Sequence, residues 1–411
     1  MLQRRRHLLP VLEPLGQPAF RRLMLAIFCF TAAVQMQTMG QGWLVFHITG
    51  SNVALGVVTS MWSVALFLFS PVAGVVADRL DRRLVLKLTW GGSGMVFAVI
   101  SLLILLGRVE VWHLAVAAAL NGVFFSFNLP ARFALISQMV SEGSLVGAIA
   151  LNSLAFNLNG ILFPLLGGGL IDLVGPAGVY VLVSVLYLIA VAVVGLVPAQ
   201  EGARARRRRT LVADMVAGVR VVRAHPVLIW LMALGLAAVV LGQSYTVLLP
   251  DLAAGTLHVP ASGLGLLMAM LGLGGLVGNL AVANLGPRAP MGRLMLLLGG
   301  ASGVALLALA GTWSIYPALV VLFVLGFTGM PLFTINQTLV QRIAPPEVRG
   351  RVLSLYMLTW GAMPLGLMVA ATLADSVGLF LPLVLGGAAM VIVMLLVARS
   401  CPALLRLTER G

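Results

Sequence analysis

Ten residues between two long apolar runs, Gly74 to Arg83 with the sequence GVVADRLDRR, hold three arginines and two aspartates. Carboxylates and guanidiniums this close make charge-assisted hydrogen bonds across neighbouring chain segments, and they cannot sit in hydrocarbon. The segment reads as a tight turn at a membrane surface, with Gly74, Asp78, Arg79, Asp81, Arg82 and Arg83 as its working residues. A second chemistry belongs to polar side chains inside the apolar runs. Gln37, Gln41, Asn121 and Asn157 are amides that offer donor and acceptor without charge. Trp360 and Met363 add aromatic and polarisable surface at similar depth.

The elements that must position these groups are membrane helices. Apolar residues make up 61% of the 411 residues and charged ones 9%, and the mean hydropathy is +1.08, beyond what a soluble core requires. A spanning helix takes roughly 20 apolar residues. Gly, Pro and charge cut the chain into twelve such runs, beginning near Leu23, Val53, Leu84, Trp112, Ser144, Val179, Val227, Gly263, Leu294, Tyr316, Val352 and Leu379. Their apolarity is continuous rather than alternating, which selects helices over barrel strands.

Basic residues set the expected orientation, since cytoplasmic loops keep positive charge. With the N-terminus inside, every Lys and Arg except Arg108 falls on the cytoplasmic side, so both termini are expected there. The net charge of +14 is this asymmetry plus attraction to anionic lipid, and no nucleic-acid partner is needed to explain it. Arg21-Arg22 followed by an apolar stretch also resembles a secretory signal peptide. The apolar run continuing to Phe46 favours a first span instead.

The chain divides into a cytoplasmic segment 1–22, a six-helix half 23–199, a linker 200–226, a second six-helix half 227–398 and a tail 399–411. In the linker, Leu211, Met215, Val219 and Val222 recur at helical spacing, which predicts an amphipathic helix on the inner membrane surface. The halves repeat one another. Pro164-Leu followed by Asp172-Leu-Val-Gly175 matches Pro364-Leu followed by Asp375-Ser-Val-Gly378, each in the fifth span of its half. Arg83-Leu-Val-Leu before Gly92-Ser-Gly matches Arg293-Leu-Met-Leu before Ala301-Ser-Gly.

With these residues in place, the Gly74 turn resembles the signature loop between spans 2 and 3 of the major facilitator superfamily, with Asp81 where glycine is usual. That departure resembles the enterobactin-exporter and macrolide-efflux branch, as do Trp43 to Ser51, Pro130-Ala-Arg132, Ala150 to Ser153 and Arg349 to Ser354. The resemblance implies the all-α facilitator fold of twelve transmembrane helices in two pseudo-symmetric halves, working by alternating access as a monomer in a bacterial inner membrane. It implies export of a bulky amphipathic drug, macrolide or siderophore, with a lysophospholipid flippase as the alternative. It also makes the Gly74 turn a conformational latch, although a plain topological anchor would carry the same arginines. Spans 1, 4, 5, 7, 8, 10 and 11 would line the substrate cavity.

At 1.5 Å per residue, Gln37 and Asn121 each lie about 14 Å from an outer span end, with Asn157, Trp360 and Met363 at similar depth. Each amide either lines that cavity or bonds a neighbouring helix. Gln243, Tyr245, Asn279, Asn336 and Gln337 stand nearer the surfaces. Arg132, if buried, would mark an anionic substrate, but about 30 Å from Trp112 it reaches the cytoplasmic boundary, where snorkelling or pairing with the charged turn is favoured. Pro164, Gly167 and Gly168 match half of an antiporter signature, whose first two glycines are here Asn159 and Phe163.

No nucleotide-binding loop, no metal-ligand spacing and no paired nucleophile and base occurs, so neither cofactor nor metal is expected and an enzyme is disfavoured. No Asp or Glu falls in mid-span. Proton antiport would therefore use a rim group such as Asp78, Asp251 or Asp375, or act through protonation of the substrate, with uniport or another coupling ion as the alternatives. A reporter active only in the periplasm, fused after Gly411, is expected to stay silent, while a fluorescent fusion there lights up; the opposite pair of results overturns the orientation.

Overall fold

The computed structural model describes residues 10–198, 219–285, 289–345, 348–405 and 407. No strand occurs among them. Among the described residues eleven helices are long and apolar enough to cross a membrane. One of these, Leu145–Gly195, has 51 residues and breaks at Gly175, where φ is 80° and ψ 173°, a region open only to glycine, with Pro176 next. Its arms, 145–174 and 176–195, are spans 5 and 6, which makes twelve.

Spans 1 to 4 are Pro18–Thr49, Asn52–Arg79, Arg82–Leu105 and Val111–Met139. Spans 7 to 12 are Pro226–Thr256, Ala261–Ala283, Met291–Ala310, Ile315–Ile343, Arg349–Val377 and Phe380–Ser400. The sequence repeat has a backbone counterpart. Gly378, which ends span 11, has φ 85° and ψ 171°, close to the values at Gly175.

Two spans are not continuous α-helix. Span 7 is α-helical over Pro226–Val240 and returns through a 3-10 stretch at Ser244–Leu248 and a π-turn at Leu252–Thr256. Span 11 is interrupted by a 3-10 turn at Thr359–Ala362. The linker helix expected across 200–226 is described only over 219–224, where the chain is helical.

Contacts group the chain into two compact units, Met1–Gln41 with Val64–Arg206, and Gly42–Ser63 with Arg207–Gly411. The grouping departs from a simple six-and-six division at one place, because the turn joining spans 1 and 2 belongs to the second unit. The first unit has an aromatic core in which Phe30 stacks on Trp90 at 5.0 Å and Phe97 on Tyr180 at 5.9 Å. The second is built on aliphatic and thioether side chains such as Leu228, Leu231, Met295, Leu339 and Met394, with Tyr356 buried among them.

Without a hydrophobic force between helices in lipid, small residues decide where helices meet. A Cβ on Gly274 of span 8 would lie 2.0 Å from the Phe323 carbonyl oxygen of span 10, and one on Gly326 would lie 2.0 Å from that of Leu271. Gly326→Val is therefore expected to destabilise the protein by about 1–3 kcal/mol through forced separation of the two helices. Gly300→Val, with nothing within 4 Å of its added Cβ, should leave thermal unfolding in detergent unchanged.

Candidate functional site

The charged turn does local work in the first unit. Asp81 caps span 3 by accepting from Arg83 N at 2.9 Å. Arg83 Nη1 donates to the Val197 carbonyl, and Arg22 Nη1 donates to that of Leu196 at 3.0 Å. Two cations thus meet the carbonyl end of span 6, where the helix dipole favours them. Arg82 is half-buried. Gly74, Asp78 and Arg79 stand in the last turns of span 2, and their side chains lie outside the described residues.

Mid-depth amides of spans 1 and 4 are drawn into one buried network. Gln37 Oε1 accepts from Asn121 Nδ2 at 3.2 Å and from the Tyr187 hydroxyl at 3.2 Å. Asn121 Oδ1 in turn accepts from Ser93 Oγ at 2.8 Å. Four spans are joined this way, and Gln37 and Asn121 are both buried. Ser93 and Tyr187 were not singled out from the sequence. Ser93 sits inside the repeated Gly-Ser-Gly, whereas nothing local marks Tyr187 as a partner.

Arg132 is 5% exposed. Its guanidinium carbon lies 5.6 Å from the ring centres of both Phe30 and Phe133, whose π faces take the place of water. Its Nε has no hydrogen-bond partner. One turn earlier on span 4, Asn128 is buried with neither side-chain polar atom partnered, and Asn152 of span 5 has an unpartnered Oδ1. These two asparagines were missed, since an asparagine in a membrane helix does not reveal from sequence whether a partner awaits it.

The half-signature of span 5 is a packing face against span 1. Asn159 Nδ2 donates to the Phe28 carbonyl at 2.8 Å and to Thr31 Oγ1 at 2.6 Å. A Cβ on Gly167 would touch Met36 Cγ at 3.2 Å. Pro164 and Gly168 are buried on the same helix. Asn157 and Gln41 are half-buried.

In the second unit Trp360 is exposed and packs against Phe333 with ring centres 5.2 Å apart, inside the 3-10 interruption of span 11. Met363 follows it, half-buried. Asn336 Nδ2 donates to the Leu231 carbonyl at 3.1 Å, and Thr334 Oγ1 donates to Asn279 Oδ1 at 3.0 Å. Among the described residues no group of three or more His, Cys, Asp or Glu is placed to hold a metal.

A family model described as transmembrane secretion effector matches residues 10–406. Enterobactin exporter EntS of Shigella boydii is 27% identical over 341 residues, which cover 82% of this chain and 81% of that protein. EntS of Escherichia coli O139:H28 matches with the same identity and coverage. Among solved structures, a bacterial homologue of the human lysosomal transporter Spinster, inward-facing and unoccupied, has a TM-score of 0.72 at 15% identity, covering 96% of this chain and 98% of that one. The nucleoside transporter NupG has a TM-score of 0.71 at 14% identity, covering 93% and 99%. Both likenesses are of fold.

The Gln37 network generates a stability test. Gln37→Ala strands two buried donors at once and is expected to cost about 1–3 kcal/mol. Tyr187→Phe removes one donor and leaves Asn121 paired, so it should cost less. If Gln37→Ala leaves thermal unfolding unchanged and alters only transport, the amide faces a cavity rather than its neighbours.

Proposed function

We propose, because the chain belongs to the transmembrane secretion effector family of the major facilitator superfamily, that it exports a bulky amphipathic compound of the siderophore or macrolide kind by alternating access. The chain is a multi-pass membrane transporter and not an enzyme. The observation that carries the finer reading is Arg132, buried against two rings with an Nε that the described residues leave unpartnered. A substrate with aromatic surface and acidic or phenolic oxygens supplies what that site lacks. Gln37 and Asn121 are engaged with one another and set helix positions.

Other assignments rest on the same reading. Gln41 and Asn157 are part-exposed within the first unit and are taken as substrate-facing there, and within the second unit so are Trp360 and Met363. The Gly74 turn serves as the conformational latch. Protons are the coupling ion, carried by rim acids or by the substrate, and the protein works as a monomer in a bacterial inner membrane with both termini in the cytoplasm.

A second reading, a flippase for lipid-like molecules, is favoured by one feature. A groove of about 390 Å³ between spans 3 and 4 is lined almost wholly by apolar side chains, among them Met95, Val99, Leu103, Val116 and Phe124, with Trp112 at its end.

Transport in inside-out vesicles separates the two. Siderophore-like and macrolide compounds are expected to accumulate faster when a proton gradient is imposed, and Arg132→Ala should depress acidic compounds more than neutral ones. Movement of a fluorescent lysophospholipid with none of the soluble compounds transported would replace the exporter reading by the flippase.

A further inference from the structure

Span 2 begins at Asn52, directly after a turn at Gly50. The first N–H groups of any helix lack partners within it, and those of span 2 are met by an acid more than three hundred residues along the chain. Asn52 N donates to Asp375 Oδ1 at 2.7 Å and Val53 N donates to Asp375 Oδ2 at 3.0 Å. Ser51 Oγ donates to Asp375 Oδ2 at 2.5 Å and accepts from Ala54 N at 3.1 Å. Asn52 also holds a second acid, its Nδ2 donating to Asp251 Oδ2 at 2.6 Å. Asn52 is 1% exposed, and its Oδ1 has no donor. All these residues belong to the second unit.

Two carboxylates are therefore joined through one asparagine, and the arrangement depends on both being charged. Asp375 accepts from three donors. Adding a proton turns one of its oxygens into a donor facing donors, and it removes the anion from the N-terminus of span 2, where charge is favoured. A proton on Asp251 likewise weakens its acceptance from Asn52 Nδ2. The other titratable groups at this end of the unit are His47, stacked on Trp43 at 6.1 Å, and His258, whose Nδ1 is 3.0 Å from the Thr256 oxygen. The described arginines of the unit stand at the opposite ends of their spans.

We infer that Asp375, Asn52 and Asp251 form a proton-released clasp at the end of the spans that the basic-residue asymmetry places outside. Charged, it fastens the turn between spans 1 and 2 to spans 7 and 11. A proton from the outer solution, added to a carboxylate oxygen, lets that turn go. The clasp rests on the transporter reading, in which the outer end must open and close in each cycle, and the three side chains act as positioning residues rather than as substrate contacts.

The test uses the full chain in lipid nanodiscs without substrate, so a failed export assay and a failed clasp stay distinct. Buried free Cys29 and Cys401 are replaced by alanine, and spin labels are placed at Ile48→Cys and Val377→Cys. The interlabel distance is expected to shift to a longer population as the pH falls from about 7 to about 3, the range in which an aspartate takes up its proton. Asp375→Asn should show the longer population at both pH values, and Asp375→Glu should restore the pH response. If Asp375→Asn does not yield monodisperse protein, Asp251→Asn carries the same comparison, with the response lost. A wild-type distance that ignores pH, or one that follows sodium concentration at fixed pH, overturns the proton-released clasp. A pH response that survives unchanged in both asparagine variants assigns it to His47 or His258 and overturns it equally.

Discussion

Hydrocarbon offers no hydrogen bonds, and most of this molecule follows from that. Every backbone group within the bilayer must find its partner in its own helix, so the chain is helical wherever it is apolar, and each interruption needs a substitute. Span 7 leaves the α-helix after Val240 and regains bonding through 3-10 and π geometry, with Leu257 N bonding the Leu252 carbonyl. Span 11 tightens at Thr359–Ala362, where the Thr359 hydroxyl donates to the Tyr356 carbonyl at 2.7 Å. Spans 7 and 11 come together near these breaks, since a Cβ on Gly366 would lie 2.0 Å from the Val240 carbonyl oxygen. Irregular backbone in a membrane survives only where it is buried in protein or lines a cavity, which makes these stretches the places where a helix can change shape at least cost.

The same constraint sorts the polar side chains. Thr31 returns its hydroxyl to the Ile27 carbonyl and also accepts from Asn159, and Gln37, Asn121, Ser93 and Tyr187 close on one another. Such groups hold helices in register and have little left to offer a ligand. Arg132 Nε, both polar atoms of Asn128 and Asn152 Oδ1 are buried without partners. A buried polar group without a partner costs about 1–3 kcal/mol, free energy that a ligand able to pair it would recover.

Much of the fold was legible in the sequence because one signal, uninterrupted apolarity, is strong and local. The span starts read from it fall within a few residues of the observed ones, and the repeated Asp-x-x-Gly reappears as two glycines with nearly the same backbone angles. What depends on packing was not legible. Counting rise along span 4 says nothing of what covers Arg132, and the rings over it come from its own span and span 1. Nor does residue order show that the turn between spans 1 and 2 groups with the second unit, because Asp251 and Asp375 reach it from hundreds of residues away.

Asp375 shows how the repeat and the break combine. It stands in the last turn of span 11, three residues before the glycine that stops the helix. The carbonyl end of a helix is the wrong place for a negative charge, since the macrodipole there is itself negative. Whatever stabilises the carboxylate must come from outside its own helix, and three donors at the head of span 2 provide it. Span 2 has the complementary need, as its first N–H groups have no acceptor of their own. Neither end is satisfied alone, so the contact has free energy to contribute when made, less when the carboxylate is neutralised and none when either partner is withdrawn. A conditional contact of that kind differs from the glycine-to-backbone packing of spans 8 and 10, where no charge is involved and no proton can weaken it.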